Sequence, residues 1–171
     1  MDYLNDALDS FRCYKDIDIE SFLRTKALEY LHRGWCSIYL LLDEASFNDG
    51  KIKIDAYFTL SHKSLTNITA SKTSVKATSG FPHSDSIHFV LIGQLGKYIA
   101  CDEGNITSSG ITSKEILDFA FEIIRDSNEL IPCRCALVEC GNELKVQKVY
   151  MDYGFKFFQD DGKHKQYYKR I

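Results

Sequence analysis

The run Ser108-Ser109-Gly110-Ile111-Thr112-Ser113 is made of small and hydroxylated residues. It stands between an apolar stretch, residues 87–98, and a helical pattern that begins near Ser113. A helix start preceded by small residues offers backbone N–H groups and the positive end of the helix dipole, and both suit a phosphate or pyrophosphate. The same residues also read as an ordinary cap, with Thr112 or Ser113 at the N-cap position. Cys133, Cys135 and Cys140 lie close together but lack the paired CxxC spacing of a zinc site. They read as small apolar residues of a core, and no metal is expected. His32, His62, His83, His88 and His164 have no nucleophile or metal motif around them. Neither GxxxxGK[ST] nor HExxH occurs. The basic, aromatic run Lys163-His164-Lys165-Gln166-Tyr167-Tyr168-Lys169-Arg170, with Lys63, Lys72 and Lys76, could contact the acceptor end of a charged tRNA. It reads equally as a solvated edge strand whose lysines block aggregation.

These residues need a scaffold, and its parts are legible in the periodicity. Residues 18–31 carry Phe22, Leu23, Ala27, Tyr30 and Leu31 at helical spacing, with Asp18 as a candidate N-cap and Gly34 as the stop. Phe11, Cys13 and Ile17 suggest a short strand before it. Residues 35–42 and 51–60 read as strands joined by the turn Asn48-Asp49-Gly50, which predicts an antiparallel pair. Residues 61–85 are rich in Ser, Thr and Lys and predict a loop with one short helix starting near Ser71. After the strand at 87–98 come a weaker segment, a long helix over residues 113–130 and a short buried strand over residues 135–140. A second helix follows over residues 142–153, ended by Gly154. A terminal strand pair, 155–159 and 165–171, surrounds the turn Asp160-Asp161-Gly162. The order β, α, β, β, loop, β, α, β, α, β, β predicts a mixed sheet with helices on its faces.

The length, 171 residues, suits one domain spanning 1–171 with a core that needs no staples. At 44% hydrophobic and 26% charged, the chain is neither disordered nor membrane-spanning in character. The net charge of −3 speaks against a dedicated DNA-binding domain. The N-terminal MDYLNDALDS has no basic n-region, and no apolar run reaches transmembrane length, so a cytoplasmic protein with reduced thiols and no membrane partner is expected.

The succession of strand, small-residue turn, helix, strand and a helix ending in Tyr-x-x-x-Gly-Phe resembles the GCN5-related N-acetyltransferase (GNAT) family. The matching stretch is Val149-Tyr150-Met151-Asp152-Tyr153-Gly154-Phe155, in which Tyr150 and Gly154-Phe155 fit the family's pattern. The runs AYFTL (56–60) and LIGQLGK (91–97) are similar to a bacterial subset, some of whose members pair with antitoxins. The resemblance implies an α/β fold, three layers of α/β/α with a mostly antiparallel central sheet splayed between its fourth and fifth strands. It implies acetyl-CoA as the acyl donor, with backbone groups of Leu95, Gly96 and Lys97 along the pantetheine arm. The pyrophosphate would rest on Ser108, Ser109, Gly110, Ile111, Thr112 and Ser113. There the chain departs from the family's Gln/Arg-x-x-Gly-x-Gly/Ala, with Ser108 first and Ile111 and Ser113 in place of glycines.

By the same resemblance Tyr150 would be the general acid that protonates the leaving thiolate. Its other reading is a helix tyrosine with a satisfied hydroxyl. Asn142 would touch the pantetheine arm or cap its helix. Glu139 would take the proton of the acceptor amine through water, or else pair with a core Lys or Arg. The acceptor wall would be formed by the first helix and the variable loop, 61–85. The acceptor would be a primary amine on a small molecule, a peptide or an aminoacyl-tRNA. A monomer or homodimer is expected, with Tyr167 and Tyr168 as exposed aromatics able to support a dimer, and an antitoxin is a possible partner. The alternative is a catalytically silent binding or regulatory module that keeps the fold, or a sensor that binds acyl-CoA without turnover.

Overall fold

A computed structural model describes residues 3–48 and 51–171. The chain forms two compact units, one of residues 1–59 and 94–116, the other of residues 60–93 and 117–171.

The first unit opens with a helix the sequence did not announce, α1 (Tyr3–Ser10), too short and with too few apolar positions to show periodicity. Ala7 and Leu8 bury against Phe11, Leu23 and Tyr57. The expected strand around Cys13 reduces to one parallel bridge between Cys13 and Ile99. The amphipathic segment forms as α2 (Ile17–Ser21), a π-helical turn (Phe22–Lys26) and α3 (Ala27–His32). Its N-cap is Asp16 and not Asp18: the Asp16 carboxylate accepts from the N–H groups of Asp18 and Ile19. Gly34 (φ 68) follows the helix in the left-handed region, as expected. The buried Glu20 carboxylate is satisfied by Cys13 N–H (2.8 Å) and Arg24 Nη1 (3.0 Å), which makes burial of its charge tolerable.

Strand β1 (Ser37–Leu42) leads to a short helix α4 (Glu44–Asn48) where only a turn was expected; Asp49 and Gly50 lie outside the described residues. Strand β2 (Ile54–Leu65) starts later than predicted and runs five residues into the supposed loop. Strand β3 (Ile87–Lys97) matches its expectation, and both β2 and β3 pass from one unit into the other. The weak segment after it is a hairpin, β4 (Ile99–Asp102) with β5 (Asn105–Ser108), turned by Glu103 (φ 49) and Gly104 (φ 87). Positive φ at both central residues is the two-residue turn that matches strand twist. Helix α6 (Ser113–Leu130) begins here and continues into the second unit.

In the second unit, α5 (Lys72–Ser79) has Ser71 as its N-cap and Gly80 as its left-handed stop. Strand β6 (Cys135–Cys140) and helix α7 (Leu144–Asp152) are followed by β7 (Lys156–Asp160) and β8 (Lys165–Arg170). The strand order is β1-β2-β3-β6-β8-β7. Strand β6 pairs parallel with β3 and antiparallel with β8, and β7 pairs antiparallel with β8. Alternation along β6 sends Cys135 and Leu137 into a core with Val75, Phe89, Phe158 and Tyr168. On β8, Tyr167 turns the other way and donates its hydroxyl to Gln147 of α7.

Two expectations fail at β8. It is not an edge strand, because β6 and β7 flank it. Tyr167 (3% exposed) and Tyr168 (7%) are core residues and offer no dimer surface. Phe158 meets Tyr168 edge to face in the interior, and Tyr167 meets the exposed Phe157 in the same way.

Candidate active site

Of the residues expected to hold the cofactor, all but Asn142 lie in the first unit. Leu95, Gly96 and Lys97 end β3. Gly96 has a packing reason of its own: a Cβ there would stand 2.4 Å from Tyr57 Cε1 and 2.7 Å from Ile19 Cγ2. Ser108 is the last residue of β5, paired with Ile99. Ser109 is buried and structural; its N–H donates to Tyr98 O (3.1 Å) and its hydroxyl to Asp55 O (2.9 Å).

Thr112 is the cap of α6. Its N–H and hydroxyl both donate to Glu115 Oε2 (2.7 Å each), and its Oγ1 accepts from Glu115 N–H (3.2 Å). This is the reciprocal capping box of a Thr-x-x-Glu sequence. Among the described residues no hydrogen bond engages the N–H groups of Gly110, Ile111 or Ser113, and a Cβ on Gly110 would meet only open space. The part of the turn that fits an anion is therefore Gly110, Ile111 and Ser113.

The expected catalytic residues lie in the second unit. Tyr150, on α7, is buried, with its ring edge on Phe155 at 5.7 Å. Among the described residues its hydroxyl has no hydrogen-bond partner. Other buried or semi-buried tyrosines are tied down: Tyr57 donates to Ile19 O (2.7 Å), Tyr153 to Asp118 Oδ1 (2.8 Å), Tyr167 to Gln147 Oε1 (3.0 Å). Burial raises the pKa of Tyr150 above the ordinary 10, and the neighbouring Cys140 adds to the rise, so the hydroxyl stays protonated.

Asn142 is exposed and does not cap α7. Glu143 holds that position, without a side-chain bond, its carbonyl receiving Val146 N–H (3.0 Å) and Gln147 N–H (3.1 Å). Glu139 has the partner that its second reading required. Its Oε2 accepts from Lys63 Nζ (2.6 Å) and its Oε1 from Gln166 Nε2 (2.6 Å). Glu139 follows Leu137 on the β6 face that looks away from Tyr167 and α7, so the second unit does not bring Glu139 to Tyr150. Next to it the parallel ladder between β3 and β6 ends at Ile92↔Val138, whereas β6 stays paired with β8 through Cys140.

The basic run does not assemble as the sequence suggested. Lys63 is engaged by Glu139, and Lys169 donates to Tyr153 O (2.7 Å) while lying over the Tyr153 ring. Lys72 and Lys76 remain exposed on α5. All six cysteines are free thiols, and among the described residues no group of three or more His, Cys, Asp or Glu could hold a metal ion. No helix there is long and apolar enough to cross a membrane.

No protein-family model and no curated protein matches the chain. Solved structures do. A Tyr-to-Phe mutant of KacT is similar at TM-score 0.72 and 18% identity, over 95% of this chain and 86% of that one. AtaT complexed with acetyl-methionyl-tRNAfMet is similar at TM-score 0.70 and 16% identity, with the same coverages of 95% and 86%. A Tyr-to-Phe mutant of the AtaT toxin, bound to the C-terminus of the antitoxin AtaR and acetyl-CoA, matches at TM-score 0.68 and 16% identity over 97% of this chain and 88% of that one. The chain shares the fold of these AtaT and KacT structures. The mixed, mostly antiparallel sheet expected from the sequence is the sheet of that fold.

Within that fold, three buried polar residues of the second unit carry side-chain hydrogen bonds that the sequence did not show: Gln147, Gln159 and Gln166, each at least 95% buried. Gln166 donates from Nε2 to Glu139, while its Oε1 has no partner among the described residues. Glutamines inside apolar patterns were the signal, since a buried amide calls for partners.

Proposed function

We propose that this protein is an acetyl-CoA-dependent N-acetyltransferase, one catalytic domain over 1–171, that moves an acetyl group to a primary amine by direct attack in a ternary complex. The observation that carries this reading is the Tyr150 hydroxyl: a protonated phenol on a buried ring, with no protein partner among the described residues competing for its proton. That is the condition of a general acid awaiting its substrate. The similar structures support the donor, since one of them holds acetyl-CoA. The turn before α6 supports that donor: among the described residues the N–H groups of Gly110, Ile111 and Ser113 have no hydrogen bond and suit its pyrophosphate.

Bound acetyl-CoA supplies the thioester acyl group. Backbone groups of Leu95, Gly96 and Lys97 orient the arm, and the N–H groups among them polarise the acyl carbonyl. Asn142 adds a side-chain contact to the arm. Tyr150 gives its proton to the sulfur as the C–S bond breaks, so that a thiol and not a thiolate departs. The amine proton leaves through water. Glu139 stays bonded to Lys63 and Gln166, and its part in that step is read from the pH–rate profile.

For the acceptor we favour the α-amine of an aminoacyl-tRNA, supported by the acetyl-methionyl-tRNA held by AtaT. An antitoxin partner is supported by the AtaR segment on the same toxin. Calorimetric titration with acetyl-CoA, with CoA as a control, tests the reading first. Micromolar or tighter binding is expected, about −8 kcal/mol or better; no heat at millimolar acetyl-CoA would overturn it.

A further inference from the structure

The variable loop is tied to the sheet by one side chain. Gln159, on β7, is 4% exposed. Its Oε1 accepts from Thr69 N–H (2.8 Å) and Ala70 N–H (3.2 Å), and its Nε2 donates to Asn67 O (3.1 Å). Among the described residues these are the only hydrogen bonds that join residues 67–70 to the sheet. The pattern fixes the amide's orientation, because the flipped amide would set its N–H against two N–H groups. A carboxylate would lose the bond to Asn67, and an apolar side chain would lose all three.

The strand geometry is arranged for this contact. The β7–β8 register runs Phe157↔Tyr167 and then Gln159↔Gln166, so Phe158 is the extra residue of a β-bulge. In a regular strand, Phe158 and Gln159 would face opposite sides. With the bulge both turn inward, Phe158 into the core beside Phe89 and Gln159 onto the loop. Directly after the tied segment comes Ser71, the N-cap of α5, whose Val75 and Thr78 are buried. Holding residues 67–70 therefore holds the start of α5. The exposed Lys72 and Lys76 on that helix are then presented in a fixed place.

We propose that Gln159 is a positioning residue for the acceptor. It fixes the variable loop and α5 as a rigid wall, and through that wall sets how well the amine-bearing substrate binds, without touching the acyl donor. This rests on the acetyltransferase reading above. The closing experiment compares wild type with Gln159→Leu and Gln159→Glu. Transfer of labelled acetyl groups to a pool of fully aminoacylated tRNA is followed, with acetyl-CoA affinity by calorimetry and amide exchange across residues 66–79. The expected result for Gln159→Leu is a rise of about tenfold or more in acceptor KM, with kcat and acetyl-CoA Kd within about threefold of wild type, and faster exchange at Thr69 and Ala70. Gln159→Glu, which keeps the two N–H acceptances, falls between the two. Faster exchange with unchanged acceptor KM would overturn the proposal, as would parallel losses in kcat, KM and acetyl-CoA Kd, which mark a general loss of fold. A wild-type protein that binds acetyl-CoA yet transfers nothing to the pool would overturn the charged-tRNA acceptor and this inference with it.

Discussion

Replacing Tyr150 with Phe separates chemistry from stability more cleanly than any other change in this protein. A tyrosine hydroxyl in a hydrogen bond contributes about 1 kcal/mol, within a range of roughly 0.5–1.5. The Tyr150 hydroxyl has no such bond among the described residues, and the ring's contact with Phe155 survives in Tyr150→Phe. The stability cost should therefore be near zero, and Tm should move by less than about 1 °C. Tyr153→Phe is the matched control. It loses the bond to Asp118 Oδ1 and should lower Tm by about 2–4 °C, the shift that ~1 kcal/mol gives in a domain of this size. Turnover should order the two variants oppositely. Loss of a general acid costs about 10²–10⁴ in rate, or roughly 3–5 kcal/mol of barrier. Tyr150→Phe should show that drop in kcat with an unchanged acetyl-CoA Kd, and Tyr153→Phe should keep kcat within about threefold of wild type. The pH profile adds a sign. Because the folded pKa of Tyr150 is raised above 10, the acid stays loaded through neutral and mildly alkaline pH, so its loss should depress kcat only above pH 10. The assay is acetyl transfer measured alongside thermal melting of the same preparations. A Tyr150→Phe enzyme with wild-type kcat would refute the assignment, and a Tyr150→Phe Tm loss matching that of Tyr153→Phe would refute the claim that the hydroxyl is unpartnered.

Other outcomes follow from the same structure. Gly96→Ala should destabilise by about 1–3 kcal/mol, read as a lower urea midpoint, because its Cβ would overlap the Tyr57 ring and Ile19. Glu139→Gln should remove the partner of Lys63 and lower stability by about 1–3 kcal/mol while leaving the shape of the pH–rate profile unchanged; loss of an acidic limb from that profile would make Glu139 the base instead. Burial raises the thiol pKa of Cys13, Cys36, Cys135 and Cys140 above 9, with Cys135 pushed up to about 11. A group whose folded pKa is raised contributes stability that is fully present below its unfolded value and is lost as pH rises through the folded one, so the urea midpoint should fall between pH 9 and 11. For the same reason a disulfide reagent at pH 8 should label the exposed Cys101 first, and early labelling of Cys135 would contradict its burial.

The sequence displayed the parts of this fold whose apolar spacing is regular. Ile116, Leu117, Ala120, Phe121, Ile123 and Ile124 announce α6, and all but the half-buried Ile123 are buried. The strand at 135–140 and the turn at Gly162 are equally plain, because an unbroken apolar run and a required positive φ leave little choice. What stayed hidden has physical causes. Helix α1 shows two buried residues in eight, too few for a period. The second half of β2 reads SHKSL, polar on one face, and was lost in a Ser/Thr/Lys-rich stretch. At the candidate site, Tyr150 was visible through the spacing to Gly154-Phe155. The partners of Glu139 were not, since Lys63 and Gln166 are distant in sequence and only the β6–β8 register and the end of β2 bring them together. Thr112, one of the two N-cap candidates in the sequence, forms a capping box with Glu115 three residues on.

The interior position of β8 bears on how the protein is made. During synthesis β6 emerges first and can pair with β3 at once, but its other edge waits for β8, and β7 leaves the ribosome before the strand it must lie beside. For that interval two lengths of chain carry Leu137, Val138, Phe157 and Phe158 with unpaired backbone, the condition under which nascent chains stick to one another. Helix α7 forms in the same interval from local bonds alone. Its burial of Tyr150 and Gln147, and the bond from Tyr167 to Gln147, come only when β8 closes the sheet. Competence for the chemistry should therefore arrive late and all at once, and a chaperone that shields the waiting edges would raise the yield of active protein without altering its final stability.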